Sequence, residues 1–261
     1  MDLGAQRRNT VLERLDRDSF VGVTALAAEL GCSEMTIRRD LARLEREGRL
    51  KRRHGGAVPT RMVRLEFAMN ARAKIHGAAK RAIADRALGL IGSGQHVILD
   101  TGTTTLALAH AIATAGGLEG LTVVTTSLAN VSALMSSDAV ECILLGGSVR
   151  ETSPDLYGPL VEDNLSRMRV DAAFVGCDAL TPDGQLMTTD HRIARATQLM
   201  LRNSARKVLL TDSAKIGRSS FITYARLAEL DCMVTDDAGR AEAQELARAA
   251  GVELLTAKVP A

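Results

Sequence analysis

The stretch SEMTIRRDLARLEREGRLKRRHGG, Ser33 to Gly56, restricts what this chain can become more than any other segment. Ser33 follows the turn Gly31-Cys32 and stands where a helix N-cap belongs, its hydroxyl suited to the free amides of a first turn. Ile37, Leu41 and Leu44 then recur at i, i+4 and i+7, an apolar stripe for a small core. The other side of the helix is left to Glu34, Met35, Thr36, Arg38, Arg39, Arg43 and Arg46. Gly48 suits the helix end, and Arg49, Lys51, Arg52, Arg53 and His54 run into Gly55-Gly56 as a basic hairpin tip. Taken alone, such a segment also fits an amphipathic helix with a solvated charged face.

The residues before it decide between the two. Arg7 to Leu15 is a short helix with Val11, Leu12 and Leu15 apolar, Phe20 to Val23 is extended, and Thr24 is expected to cap a helix over Ala25 to Leu30. Helix, helix, glycine turn, helix and basic ribbon is the order of a winged helix-turn-helix. Its third helix enters a major groove, where N-terminal side chains reach base edges and arginines reach phosphates or guanine. The expected DNA contacts are Ser33, Met35, Thr36, Arg38, Arg39, Arg43, Lys51, Arg52, Arg53, His54 and Gly55. Charge agrees: residues 1–64 hold fourteen Lys/Arg against nine Asp/Glu, net +5, which leaves −3 for the rest of a chain whose total is +2. The first part thus suits a polyanion and the second does not. An alternative use of the same module is as a protein-binding winged helix.

Thr24-Ala25-Leu26-Ala27, Ser33 to Leu41 and His54-Gly55-Gly56-Ala57 together resemble the N-terminal domain of the DeoR/GlpR family of transcriptional regulators, over nearly all of residues 7–57. That resemblance implies a DNA-binding output and a second, ligand-sensing half.

With 261 residues, 46% of them apolar, two domains fit. We expect the winged helix-turn-helix over 1–58, a linker over 59–77 whose Pro59 stops the wing strand, and a mostly parallel α/β domain over 78–261. In the last of these, short apolar runs at Val97-Leu99, Leu121-Val124, Cys142-Leu145, Ala172-Val175, Val208-Leu210 and Cys232-Val234 alternate with helical segments. A sheet buried on both faces follows. Ligands of such sheets bind at the carboxyl ends of the strands. Those ends read Asp100-Thr101-Gly102-Thr103-Thr104-Thr105, Thr125-Thr126-Ser127, Gly146-Gly147-Ser148, Gly176-Cys177-Asp178 and Thr211-Asp212-Ser213-Ala214-Lys215. Gly102 with the amides and hydroxyls of Thr103, Thr104 and Thr105 suits an anion at a helix start, although a threonine-capped helix reads the same way. Asp100 and Asp178 suit hydroxyls and Lys215 a phosphate, although aspartates more often cap helices and loops. The expected ligand is a phosphorylated sugar or polyol, held by Asp100, Gly102, Thr103, Thr104, Thr105, Thr126, Ser127, Gly146, Gly147, Asp178 and Lys215.

DTGTTT (100–105), VVTTSLAN (123–130), LLGGSVR (144–150), YGPL (157–160), VGCD (175–178) and TDSAKIG (211–217) resemble the same family's C-terminal sensor domain. The resemblance implies a fold like ribose-5-phosphate isomerase A and the CoA-transferase-like group, with phosphorylated sugars or related metabolites as effectors. The chain departs from the family's pattern at Cys177 and Ala179, where alanine and glycine are usual. It departs again near His191 to Arg195, where an acidic stretch is usual. If that stretch shapes the pocket, an altered or lost effector is the consequence.

The function expected is a sequence-specific transcriptional regulator, a repressor of carbohydrate genes whose DNA affinity a sugar phosphate controls, acting as a homodimer or homotetramer on repeated half-sites. A sugar-phosphate isomerase with an appended winged helix is the alternative. Asp178 and Lys215 are its possible proton-transfer groups, but the second acidic residue after Gly-x-Asp and the Lys-Gly-Gly-type turn are missing. No cofactor, metal or catalytic residue is expected. Cys32, Cys142, Cys177 and Cys232 are too scattered for a metal or disulfide pattern and suit a reducing cytoplasm as small buried hydrophobes. No apolar run approaches a membrane span, and a soluble, cytoplasmic protein is expected.

Overall fold

The computed structural model of the chain describes residues 3–260; Met1, Asp2 and Ala261, at the outer ends of the two expected domains, lie outside the described residues. The chain divides into two compact units, residues 1–71 and 72–261.

The first unit contains α1 (Leu3–Asp18), β1 (Val21–Gly22), α2 (Val23–Glu29), α3 (Glu34–Arg46), β2 (Leu50–Arg53), β3 (Gly56–Pro59) and the start of α4 (Arg61–Lys74). The strands pair antiparallel in the order β1-β3-β2. The stripe Ile37, Leu41 and Leu44 is buried among Val11, Leu15, Leu26 and Leu50. Each such side chain contributes about 2 kcal/mol by leaving water. Ser33 caps α3, its hydroxyl accepting from the Thr36 amide at 3.2 Å. Thr24 does not cap α2: that helix starts at Val23 with Gly22 at its N-cap, and the Thr24 hydroxyl instead donates to Glu34 at 2.6 Å. One charged residue sits inside this core: Asp40 of α3 is buried and pairs with Arg7 and Arg8 of α1. The expected linker is not irregular. Most of it is α4, with Val63, Leu65 and Met69 buried and Phe67 packed on the winged-helix core.

The second unit runs α5 (Gly77–Leu88), β4 (His96–Leu99), α6 (Thr103–Thr114), β5 (Leu121–Thr125), α7 (Leu128–Leu134), β6 (Val140–Leu144), β7 (Ser148–Val149), β8 (Leu156–Tyr157), α8 (Pro159–Ser166), β9 (Val170–Gly176), β10 (Ala179–Leu180), β11 (Gln185–Thr188), α9 (His191–Arg202), β12 (Ser204–Leu210), β13 (Ile222–Arg226), β14 (Cys232–Asp236), α10 (Arg240–Ala250) and β15 (Glu253–Ala257). Seven strands form one all-parallel sheet in the order β15-β14-β12-β9-β4-β5-β6. Successive residues face opposite cores. Val97, Leu99, Phe174, Val208 and Leu210 pack with α5, α6 and α7, while Ile98, Val175, Leu209 and Met233 pack with α8, α9 and α10. This explains why the inner strands read as unbroken apolar runs. The strands β10, β11 and β13 form a separate small antiparallel sheet.

The order of strands has one reversal. From β4 the chain goes outward through β5 and β6, then returns to the other flank of β4 with β9 and proceeds outward again through β12, β14 and β15. The connections that leave the carboxyl ends of β4 and β9 therefore run in opposite directions, which opens a crevice above the two strands.

Candidate functional site

Two surfaces carry the residues singled out from sequence. On the first unit, Met35, Arg38, Arg39 and Arg43 of α3 and Lys51, Arg52, Arg53, His54 and Gly55 of the hairpin are exposed, with Ser33 at the helix start and Thr36 half-buried. They differ in how they are held. Arg38 pairs with Glu34 at 3.2 Å and Arg43 with Glu47 at 2.9 Å, each one turn apart on α3. Exposed pairs of this kind are weak and yield to a stronger anion. Arg39, Lys51 and Arg53 have no side-chain partner among the described residues and stand ready for phosphates or guanine. Arg52 is different. Glu45 of α3 accepts both its backbone amide at 2.9 Å and its Nε at 2.8 Å, so the carboxylate, held below its usual range by these bonds, clamps the ribbon to the helix.

On the second unit, a cleft of about 330 Å³ opens at the carboxyl ends of β4 and β9. Seven of the eleven residues expected to bind the effector line it: Asp100, Gly102, Thr103, Thr104, Thr105, Asp178 and Lys215. The other four do not. Ser127 caps α7, accepting from the Asn130 amide, and Thr126 is buried and outside the cleft lining. Gly147 is a packing residue: a Cβ there would stand 2.7 Å from the Tyr157 carbonyl and 2.8 Å from Val161. Gly146 is exposed and lies outside the cleft lining. The VVTTSLAN motif instead supports the site from behind. Thr125 donates to the Leu99 carbonyl at 2.8 Å, and the fully buried Asn130 donates to the Asp100 carbonyl at 3.0 Å. Both bonds fix the backbone just before Gly102.

Gly102 adopts φ +126°, ψ 171°, which a side chain would oppose, and from it α6 starts without any side-chain cap. The first amides of α6 therefore face the cleft at the positive end of the helix. The Thr104 hydroxyl, buried on the same turn, has no hydrogen-bond partner among the described residues. Five basic side chains line the same cleft: Arg72, Lys80, Arg150, Lys215 and Arg218. Lys215 donates to the Cys177 carbonyl at 2.7 Å and lies 3.9 Å from Asp212. Arg150 pairs with the buried Asp155 at 2.6 Å. Of these five, Lys215 alone was anticipated. Arg150 ends the motif LLGGSVR, so its signal was available, whereas Arg72 lay in the expected linker and carried none.

The two aspartates behave differently. Asp100 is buried at 3% exposure, and desolvation, reinforced by Asp155, pushes its carboxyl up to about 7 although Thr101 and Gly176 amides donate to it. Asp178 is exposed. Its Oδ2 accepts from the Thr188 hydroxyl at 3.0 Å and from the Thr189 amide and hydroxyl at 2.9 and 3.1 Å, which leaves Oδ1 for a ligand hydroxyl. The basic stretch at His191 to Arg195 does not fill the cleft. Asp190 caps α9 and takes the Arg192 guanidinium at 2.9 and 2.7 Å, Arg192 also lies 4.5 Å over the Tyr157 ring, and Arg195 pairs with Glu162. Only Ile193 of that stretch lines the cleft. All four cysteines are free; Cys177 and Cys232 are buried as expected, but Cys32 and Cys142 are only partly so.

Comparison with known proteins covers both units. Residues 7–61 match the family described as DeoR-like helix-turn-helix domain, and residues 75–237 match the DeoR C terminal sensor domain. The chain is 35% identical over 253 residues to the HTH-type transcriptional regulator GlpR of Haloferax volcanii, covering 97% of this chain and 98% of that one. It is 29% identical over 232 residues to the glycerol-3-phosphate regulon repressor of Escherichia coli K12, covering 88% and 90%. Among solved structures, ribose 5 phosphate isomerase A of Neisseria gonorrhoeae aligns at 17% identity over 52% of each chain, with a TM-score of 0.39. No helix among the described residues is long and apolar enough to cross a membrane.

Proposed function

Because the chain belongs to the DeoR family of transcriptional regulators, we propose that its cleft binds a phosphorylated sugar or polyol and that occupancy of the cleft sets the affinity of the winged helix for DNA. The chain is a DNA-binding regulator and not an isomerase, since both of its halves match regulatory domains. Repression of carbohydrate genes is the mode we assign, in keeping with the relative named for repression of a glycerol-3-phosphate regulon.

One observation carries the ligand reading: an uncapped helix start with the buried, unpartnered Thr104 hydroxyl, inside a cleft with five basic side chains. A phosphate there takes the amides of α6, the Thr104 hydroxyl and the point charge of Lys215. Asp178 Oδ1 takes a sugar hydroxyl. Asp100 does not contribute a full negative charge beside the phosphate, because burial keeps much of it protonated near neutral pH. On DNA, Arg39, Lys51 and Arg53 make the principal contacts, Arg38 and Arg43 join them by leaving their glutamates, and Arg52 holds the wing in place. A single winged helix buries too little for high specificity, so the regulator acts as a homodimer or homotetramer.

The test is a thermal-shift and calorimetric screen of sugar and polyol phosphates, repeated with Thr104→Val and Lys215→Ala. A binder whose affinity falls at least about tenfold in both variants supports the site, since each loses a hydrogen bond to a charged group. Unchanged affinity in both refutes it.

A further inference from the structure

The α4 helix runs without a break from Arg61 to Lys74, its first turns in the N-terminal unit and its last residues in the C-terminal one. At one end Phe67 packs on the winged-helix core. At the other, Arg72, Ile75, His76 and Lys80 line the cleft. His76 makes the turn into α5 with φ +53°, the left-handed region that side chains disfavour. What holds this turn is Lys80. Its Nζ donates to the Arg72 and Ile75 carbonyls, both at 2.7 Å, and so caps the end of α4 with a cation. Lys80 is 5% exposed and has no carboxylate within ion-pair distance among the described residues. An ammonium has three donors, and two are used here. Arg72 adds a second tie, donating to the Ser153 hydroxyl at 3.1 Å across the cleft lining.

We propose that Lys80 is the positioning residue that couples the cleft to DNA binding: the ammonium that fixes the last turn of α4 also faces the ligand site, so an anion in the cleft resets how α4 ends. The inference rests on the sugar-phosphate reading of the cleft. Anion binding draws the Lys80 charge toward the ligand, which tightens or loosens its two carbonyl bonds. Because α4 is continuous into the winged-helix core, that change reaches the DNA-binding unit along the chain itself. No contact between distant surfaces is needed.

Hydrogen exchange on the full chain tests this, with glycerol 3-phosphate and inorganic phosphate as probes. In the unsubstituted protein, bound probe is expected to change exchange of the amides at 72–80 as well as at 101–106, by about tenfold or more in each segment. A change confined to 101–106 overturns the coupling and leaves the effector site standing. A change in neither segment removes the effector reading and this inference with it. Lys80→Met is expected to speed exchange at 72–76 about tenfold without any probe, and to shrink the probe's effect on operator affinity from the 5-fold to 150-fold range of ordinary coupling to about twofold. Lys80→Arg, which keeps charge and donors, restores part of that effect. Full transmission through Lys80→Met, at an unaltered ligand response, overturns the proposal.

Discussion

Replacing Asp100 by asparagine is expected to stabilise the C-terminal unit at alkaline pH and not at acid pH. The carboxyl is buried at 3% exposure and pushed up to about 7 from an ordinary 3.8. Between those values the unfolded chain has released the proton while the folded chain still holds it. Stability therefore falls as pH rises through that window, and the loss is complete above about pH 7. At about 1.4 kcal/mol per pH decade, the charged carboxylate costs the fold about 4 kcal/mol at pH 8. Asparagine removes that cost. It keeps an oxygen for the Thr101 amide at 2.7 Å, but turns an NH₂ toward the Gly176 amide that Oδ2 accepted at 3.4 Å. That mismatch costs about 1–2 kcal/mol. The net expectation is a gain of about 2–3 kcal/mol at pH 8, a rise of about 5–10 °C in the melting transition of a unit this size. At pH 4 the gain disappears and the mismatch remains. Calorimetry of wild type and Asp100→Asn from pH 4 to 9 measures this. Parallel stability curves across that range would refute the reasoning, because the difference must grow with pH if burial of the charge is its cause.

Other outcomes follow from the DNA-binding unit. Arg39→Ala, which removes an arginine with no side-chain partner among the described residues, is expected to weaken operator binding by about 1–3 kcal/mol; a gel-shift salt series separates base contact from phosphate contact, the latter giving a shallower slope. Glu45→Ala is expected to weaken operator binding without lowering the melting temperature, since it frees the Arg52 clamp and not the core; a footprint that keeps the contacts of the α3 helix but loses those of the wing identifies the cause. Asp40→Ala removes the buried α3 carboxylate that pairs with Arg7 and Arg8 of α1 and is expected to cost the unit about 1–3 kcal/mol in urea denaturation, with the double change Arg7→Ala, Asp40→Ala less than additive.

The helix-turn-helix was legible because its signals are local. Ser33 caps where it should, and Ile37, Leu41 and Leu44 define a face without reference to distant residues. Thr24 failed as a cap because Glu34, ten residues on, takes its hydroxyl. Six strands of the sheet were equally legible as apolar runs, five of them because they are buried on both faces and the edge strand β6 although Ile143 and Leu144 are exposed. The two-residue strands β7, β8 and β10 were not, because their pairing partners supply their identity. The cleft was legible in part for the same reason. DTGTTT carries its own chemistry, whereas the strand order that joins the ends of β4 and β9 is not written in any one segment. Hence Thr126, Ser127, Gly146 and Gly147 read like Asp178 in sequence but follow β5 and β6, which lie outward of the reversal between β4 and β9. Lys80 and Arg72 escaped notice because a lysine at a helix start and an arginine near a boundary look like solvated charge until the α4–α5 turn folds them inward.

The proposed function requires that a ligand in the Asp100 to Lys215 cleft control the winged helix. Operator affinity of the full chain, measured by fluorescence anisotropy with and without the sugar or polyol phosphate that binds most tightly, tests it directly. A shift of about 5-fold to 150-fold is expected, matched by an equal shift of ligand affinity when operator is present and lost in Thr104→Val. A tightly bound phosphate that leaves operator affinity unchanged would contradict it.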